Sequence, residues 1–192
     1  MKAVVCTRYG SPDVLELQNI AKPEPKGNEV IIKVHAASVT AGDCEMRRFQ
    51  MPVLFWLPIR LYMGIFKPRK LILGQEFSGV IESVGAKVSR FSAGDAVFGS
   101  TTISFGGHAE YLCLSESGEI AMKPSNMSFE EATAVPVGGF NALHFIRKSG
   151  LSKGQSLLVN GACGSIGLHA VQIAKSMGLK SRPSIVLTSW KR

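Results

Sequence analysis

Apolar and polar positions alternate with a period of two through the first two-thirds of the chain. Val30, Ile32, Val34 and Ala36 fall on one side of such a stretch and Ile31, Lys33 and His35 on the other, as a half-buried strand requires. Residues 77–84 and 109–114 have the same texture, and turn chemistry such as Ser92-Ala93-Gly94-Asp95 punctuates it. Short strands separated in this way predict a small, mostly β barrel or sandwich over residues 1–125. The period changes after Pro124. Ser128 and Glu131 have the spacing of a capping box, so a helix is expected there, restarted at Pro136 and stopped at Gly150. Residues 126–150 are therefore read as connecting helices. Residues 156–160 (SLLVN) then make a short buried strand, followed by a glycine-rich turn and a helix over about residues 165–177, closed by Gly178. Residues 184–189 (SIVLTS), β-branched and apolar, are expected to form a second parallel strand, with Pro183 suited to its start.

Residues 51–66 (MPVLFWLPIRLYMGIF) break this pattern, being strongly apolar and flanked by Arg47, Arg48, Lys67, Arg69 and Lys70. The run is shorter than the ~20 residues of a spanning helix and is interrupted by Pro52, Pro58 and Arg60. It is read as a lid or pocket wall over an apolar substrate, and membrane contact is not expected.

Charge adds one constraint. The 192 residues carry a formal net charge of +8, with Lys and Arg scattered rather than gathered on one arm. That suits a phosphate-bearing cofactor better than nucleic acid, which is not expected as a partner. Cys6, Cys44, Cys113 and Cys163 are widely spaced with no C-x-x-C pair, and the first residues lack the apolar run of a signal peptide. Reduced thiols and a cytoplasmic location are expected.

The strand, turn and helix at residues 156–177 give meaning to Gly161, Gly164 and Gly167. The first glycine permits the tight turn, the second lets the backbone approach a pyrophosphate, and the third allows close packing of helix on strand. Ala162, Ser165 and Ile166 complete the candidate cofactor loop, where the helix N-terminus offers N–H donors to an anion.

At this point the chain resembles a known family. GQSLLVNGACGSIGLHAVQIAK (residues 154–175) is similar to the nucleotide signature of the quinone-oxidoreductase and zeta-crystallin branch of the medium-chain dehydrogenase/reductase superfamily. KAVVCTRYGSPDVLEL at the start, ASVTAGD (37–43), GQEFSGVIESVG (74–85), FSAGDAVFG (91–99), GGHAEYL (106–112) and ATAVPVGGFNAL (132–143) resemble the family in its order, over about residues 1–179.

The resemblance implies a GroES-like β-barrel domain (1–125) followed by an α/β Rossmann domain with a parallel sheet, begun at 151–192 and incomplete. It also implies NADPH, less often NADH, and hydride transfer to a quinone or conjugated carbonyl. Members with catalytic zinc carry a histidine where this chain has Gln75, and an amide is a poor zinc ligand. No zinc is expected, and Cys44 alone is read as an inert thiol. Thr40 and Asp43 match loop positions near the nicotinamide and are the candidate catalytic residues, with local backbone bonding of a turn or helix start as the alternative for Thr40 and a structural salt bridge or cap for Asp43. Asn141 stands where a threonine often contacts the cofactor, with local backbone bonding as its alternative. His35, His108, His144 and His169 sit singly and suggest no ligand set.

If residues 184–189 are the second strand, Ser189, Lys191 and Arg192 would lie near the adenosine ribose, where NADPH-dependent members hold the 2′-phosphate. The second half of a dinucleotide fold is not found in the 42 residues after Gly150, so a non-catalytic remnant is kept as the alternative and a zinc alcohol dehydrogenase is disfavoured. The expected partner is a small apolar carbonyl or quinone substrate, with a homodimer left open.

Overall fold

The computed structural model describes residues 1–49, 53–69 and 72–184. The chain divides into two compact units, Met1–Thr133 and Ala134–Arg192.

In the first unit a hairpin of β1 (Lys2–Cys6) and β2 (Leu15–Asn19) precedes a five-stranded antiparallel sheet. Its strands are β3 (Glu29–Ala37), β4 (Glu76–Val84), β5 (Ala96–Ser100), β6 (Tyr111–Ser115) and β7 (Glu119–Met122), in the order β6-β3-β4-β5-β7. This is the GroES-like half-barrel. Val30, Ile32, Phe77, Ile81, Phe91, Val97, Leu112 and Ile120 fill its core. Val30, Ile32 and Val34 contact this core, as the alternation predicts, while Ile31, on the other side with Lys33, lies outside it and is buried as well. The β3–β4 pairing shifts register between Ile31 and Ile32 and again between Val34 and Ala36. Irregularities of this kind bend a strand and increase the local twist of the sheet.

Two helices interrupt the sheet between β3 and β4: α1 (Ala41–Arg48) and α2 (Val53–Met63). A second core of Cys6, Val14, Phe49, Met63, Leu73 and Phe105 holds them to the hairpin. The short helix α3 (Phe129–Thr133) starts at the expected capping box, with Glu131 N–H donating to Ser128 Oγ (3.1 Å) and Ser128 N–H to Glu131 Oε2 (2.8 Å).

The second unit contains α4 (Pro136–Lys148), β8 (Ser156–Asn160), α5 (Ser165–Ser176) and β9 (Lys180–Ser184). Strands β8 and β9 pair in parallel, as at the start of a Rossmann domain. Small residues make the core here: Ala142, Ala162, Ala170 and Ala174, with Ile146, Val159 and Leu179. The second strand begins at Lys180, four residues before the position its apolar character suggests. KSRPS is polar, with three of its five positions exposed, and an edge strand tolerates Pro183, which cannot donate to a ladder. Residues 185–192 lie outside the described residues.

Candidate functional site

Two local arrangements carry the residues singled out from the sequence, one in each unit. In the second, β8 ends at Asn160 and the chain reverses through Gly161, whose φ of +77° is a left-handed conformation that favours glycine. The N–H groups of Gly161 and Ala162 both donate to Ser184 O, at 3.0 and 3.2 Å, tying the turn to the end of β9. Gly164 N–H donates to Gly161 O (3.0 Å), and Gly164 then caps α5 with no side-chain partner.

The first bond that closes helix α5 onto its cap runs from Leu168 N–H to Gly164 O (2.9 Å). The N–H groups of Ser165, Ile166 and Gly167 have no acceptor among the described residues. Three donors and the positive end of the helix dipole thus face a surface formed by exposed Cys163, Ser165 and Ile166. Gly167 lies against the turn itself: a Cβ there would stand 2.4 Å from Gly161 O and 2.7 Å from Ala162 Cα. The described residues therefore fit the pyrophosphate of a dinucleotide: they offer unpaired N–H donors at an exposed helix start and no acidic side chain.

Neighbouring residues complete this side. A Cβ on Gly138 of α4 would strike Ser165 Oγ (2.3 Å) and His169 Nδ1 (2.7 Å), so the glycine lets the two helices approach at the loop. Sequence reading missed that role, although Gly138-Gly139 inside a helix signals close packing. Asn141, a candidate for cofactor contact, has its Nδ2 donating to Val137 O (2.8 Å), one turn back on its own helix. Ser189, Lys191 and Arg192 lie outside the described residues.

In the first unit Thr40 caps α1 and forms a full capping box with Asp43. Asp43 Oδ2 accepts from Thr40 N–H (2.8 Å) and Thr40 Oγ1 (2.7 Å), while Thr40 Oγ1 accepts from Asp43 N–H (3.2 Å). The other oxygen, Oδ1, accepts from Gly74 N–H at 2.9 Å. Asp43 is buried, and its carboxylate joins α1 to the segment that carries Gln75. Gln75 Oε1 lies 3.5 Å from Thr40 Oγ1, and its Nε2 donates to Thr102 O (3.3 Å).

Behind it, buried Glu76 accepts from Ser38 Oγ, and His108 Nε2 bonds Ser38 O (2.9 Å). Ser38, Thr102 and His108 are supporting residues that the sequence did not single out. The one available signal was Glu76, an acid directly before apolar Phe77 at the start of β4. No group of three His, Cys, Asp or Glu among the described residues could hold a metal ion. A cavity of about 310 Å³ lies beside α1, lined by Val4, Leu15, Val39, Cys44 and Leu73.

The four cysteines differ in environment. Burial, reinforced by the neighbouring Glu29 carboxylate, pushes the Cys113 thiol up to about 12, and burial also raises Cys6. Cys163 is exposed on the phosphate turn. The thiolate is the nucleophile, so a maleimide at neutral pH is expected to label Cys163 first, with peptide mapping as the check. Cys113 modification should keep rising by about tenfold per pH unit through pH 10, because its thiolate stays a minor species until the pH nears its raised pKa. Fast labelling of Cys113 at neutral pH would contradict the structure.

Residues 26–137 match the alcohol dehydrogenase GroES-like domain family. The human quinone oxidoreductase is 38% identical over 185 residues, which cover 94% of this chain and 51% of that protein. Two solved structures are similar over nearly the whole chain. The quinone oxidoreductase of Coxiella burnetii aligns with a TM-score of 0.81 at 31% identity, over 95% of this chain and 56% of that one. The CurK enoyl reductase aligns with a TM-score of 0.83 at 26% identity, over 98% and 55% respectively. The chain spans about half the length of the curated relatives it matches.

Proposed function

Because this chain belongs to the medium-chain dehydrogenase/reductase superfamily, through its alcohol dehydrogenase GroES-like domain, we propose that it serves an NADPH-dependent reduction of a quinone or conjugated carbonyl without a metal. The observation that carries this reading is the glycine turn, where three N–H donors at the start of α5 are left for an anion. The reduced nicotinamide, when bound, supplies the hydride, and the rest of the task is placement and charge stabilisation.

Gly161, Gly164 and Gly167 keep the backbone open to the pyrophosphate, and the N–H groups of Ser165, Ile166 and Gly167 receive its charge. Ala162 is buried beneath the turn and fixes it to the core of the second unit. Thr40 is the candidate donor on the substrate side. Its hydroxyl proton now lies on Asp43, and a turn of that hydroxyl toward an acceptor carbonyl would stabilise developing negative charge. Asp43 acts through Thr40 by holding it. Gln75, at the position a zinc-binding histidine occupies in related enzymes, is engaged through its amide by Thr40 and Thr102, which supports metal-independent chemistry. The names of the relatives, quinone oxidoreductase and enoyl reductase, agree in substrate type: an electron-poor carbon conjugated to a carbonyl.

The test is titration of the 192-residue chain with NADPH and NADH, followed by NADPH oxidation with a simple quinone in the presence of a chelator. The described residues build only the pyrophosphate contacts, so a dissociation constant no better than roughly 100 μM, on the order of −5 kcal/mol, is expected for NADPH, with slow or absent quinone turnover. Lys191→Ala with Arg192→Ala should weaken NADPH while leaving NADH almost unchanged, if the tail holds the 2′-phosphate. No saturable binding of either nucleotide would sink the proposal, and oxidation abolished by the chelator would remove its metal-independent part.

A further inference from the structure

Helix α2 is apolar on more than one side, and only one side finds a core. Trp56, Ile59, Arg60 and Met63 fall on one stripe at helical spacing and turn toward the first unit, where Ile59 packs on the core that buries Met63. Arg60 fixes the roll of the helix. Its guanidinium carbon lies 4.1 Å from the Tyr9 ring centre and 4.5 Å from that of Phe49, and its Nε donates to Ile65 O at 2.7 Å. Cation–π contacts on two rings and a backbone bond hold this face inward.

The opposite stripe is therefore turned out. Leu54 is 80% exposed, Leu57 58% and Leu61 51%, at i, i+3 and i+7, and Phe66 just beyond the helix is 91% exposed. Such a contiguous apolar surface marks an interaction site. The charge around it is one-sided: between Glu45 and Glu76 the sequence has six Lys or Arg and no Asp or Glu. Of these, Arg48, Lys67 and Arg69 are exposed at the two ends of the α2 segment.

We propose that this face rests on an anionic phospholipid bilayer, with Leu54, Leu57, Leu61 and Phe66 entering the headgroup boundary and Arg48, Lys67 and Arg69 meeting the lipid phosphates. The 11-residue helix is about 16 Å long, and no helix among the described residues is long and apolar enough to cross a membrane, so the contact is interfacial. The one-sided charge singles out a lipid surface. An apolar protein partner needs no cationic rim, whereas an interfacial helix pairs an apolar face with basic residues that meet the headgroups. The sequence favours a lid over a substrate for this segment; the outward stripe and its cationic rim argue for lipid. The inference is independent of the nucleotide reading.

The experiment is co-sedimentation of the 192-residue chain with phosphatidylcholine vesicles, with and without phosphatidylglycerol, at low and high salt. Binding should be at least about tenfold stronger to the anionic vesicles and should fall with salt. Leu57→Glu with Leu61→Glu should reduce sedimentation to the vesicle-free background. Both positions are solvent-facing, so the thermal transition should stay in place. Lys67→Glu with Arg69→Glu should remove the preference for anionic lipid without altering folding. Equal binding to both vesicle types, or no effect of either double variant, would overturn the proposal. So would a dimer in light scattering that Leu57→Glu with Leu61→Glu dissociates while vesicles leave the protein in solution, which would assign the face to a second copy.

Discussion

Gly167→Ala is expected to destabilise the second unit by about 2 kcal/mol and to weaken nucleotide binding at least about tenfold. Glycine inside a helix normally costs about 1 kcal/mol relative to alanine, so on propensity alone the substitution should stabilise. Close packing reverses the sign. The added Cβ would stand 2.4 Å from Gly161 O and 2.7 Å from Ala162 Cα, and both are backbone atoms that cannot swing aside. Either α5 moves off β8, loosening the core of Ala162, Ala170, Ala174 and Val159, or the turn opens and its donors lose their common focus. Gly164→Ala is the control, since its Cβ would lie 3.5 Å from Gly161 O, an ordinary contact. Its cost should stay near the 1 kcal/mol of replacing a glycine cap. Urea denaturation followed by circular dichroism, with NADPH titration beside it, measures both effects. If Gly167→Ala stabilises the protein as an ordinary helix glycine would, the close approach is refuted.

How much of this was legible in the sequence depends on whether a residue's environment is local. β8, the turn and α5 could be read because strand period, glycine spacing and helix stop lie within 23 residues of one another, but β8, expected to be buried, leaves Leu158 70% exposed. The capping box of Ser128 and Glu131 was legible for the same reason. The burial of Ile31 was not, because alternation assigns a residue to a face and does not say what covers that face. β9 starts earlier than expected because its polar residues carry no strand signal, and residues 185–189 of the expected strand lie outside the described residues. Residues 51–66 were recognisable as unusual, yet the faces of α2 were not, since its roll depends on Arg60 meeting Tyr9, about 50 residues earlier in the chain. At the candidate site the resemblance pointed to Thr40 and Asp43. Only the structure revealed the Gly74 contact, which has no sequence signature.

That contact makes Asp43→Ala the second large effect expected. One buried carboxylate satisfies the N–H of Thr40, the N–H of Gly74 and the Thr40 hydroxyl, and it does so in the first turn of α1, where the helix dipole favours negative charge. Alanine leaves two backbone donors and a hydroxyl without this acceptor, and a buried unpaired donor costs roughly 1–3 kcal/mol. The hydroxyl can turn to another partner, whereas the two N–H groups are fixed by α1 and by the segment before β4. A loss of about 3–5 kcal/mol is therefore expected, approaching the whole stability of a small domain. Asp43→Asn keeps one acceptor oxygen but turns an NH₂ toward one of the donors, so about half that loss should follow. Chemical denaturation followed by tryptophan emission in a Trp190→Phe background reads the first unit through Trp56. A directly catalytic Asp43 predicts the reverse pattern: stability within about 1 kcal/mol of the parent, and quinone reduction lost with folding intact. If stability and activity fall together, and Asp43→Asn recovers part of both, then Asp43 acts by holding Thr40 and Gln75 in place.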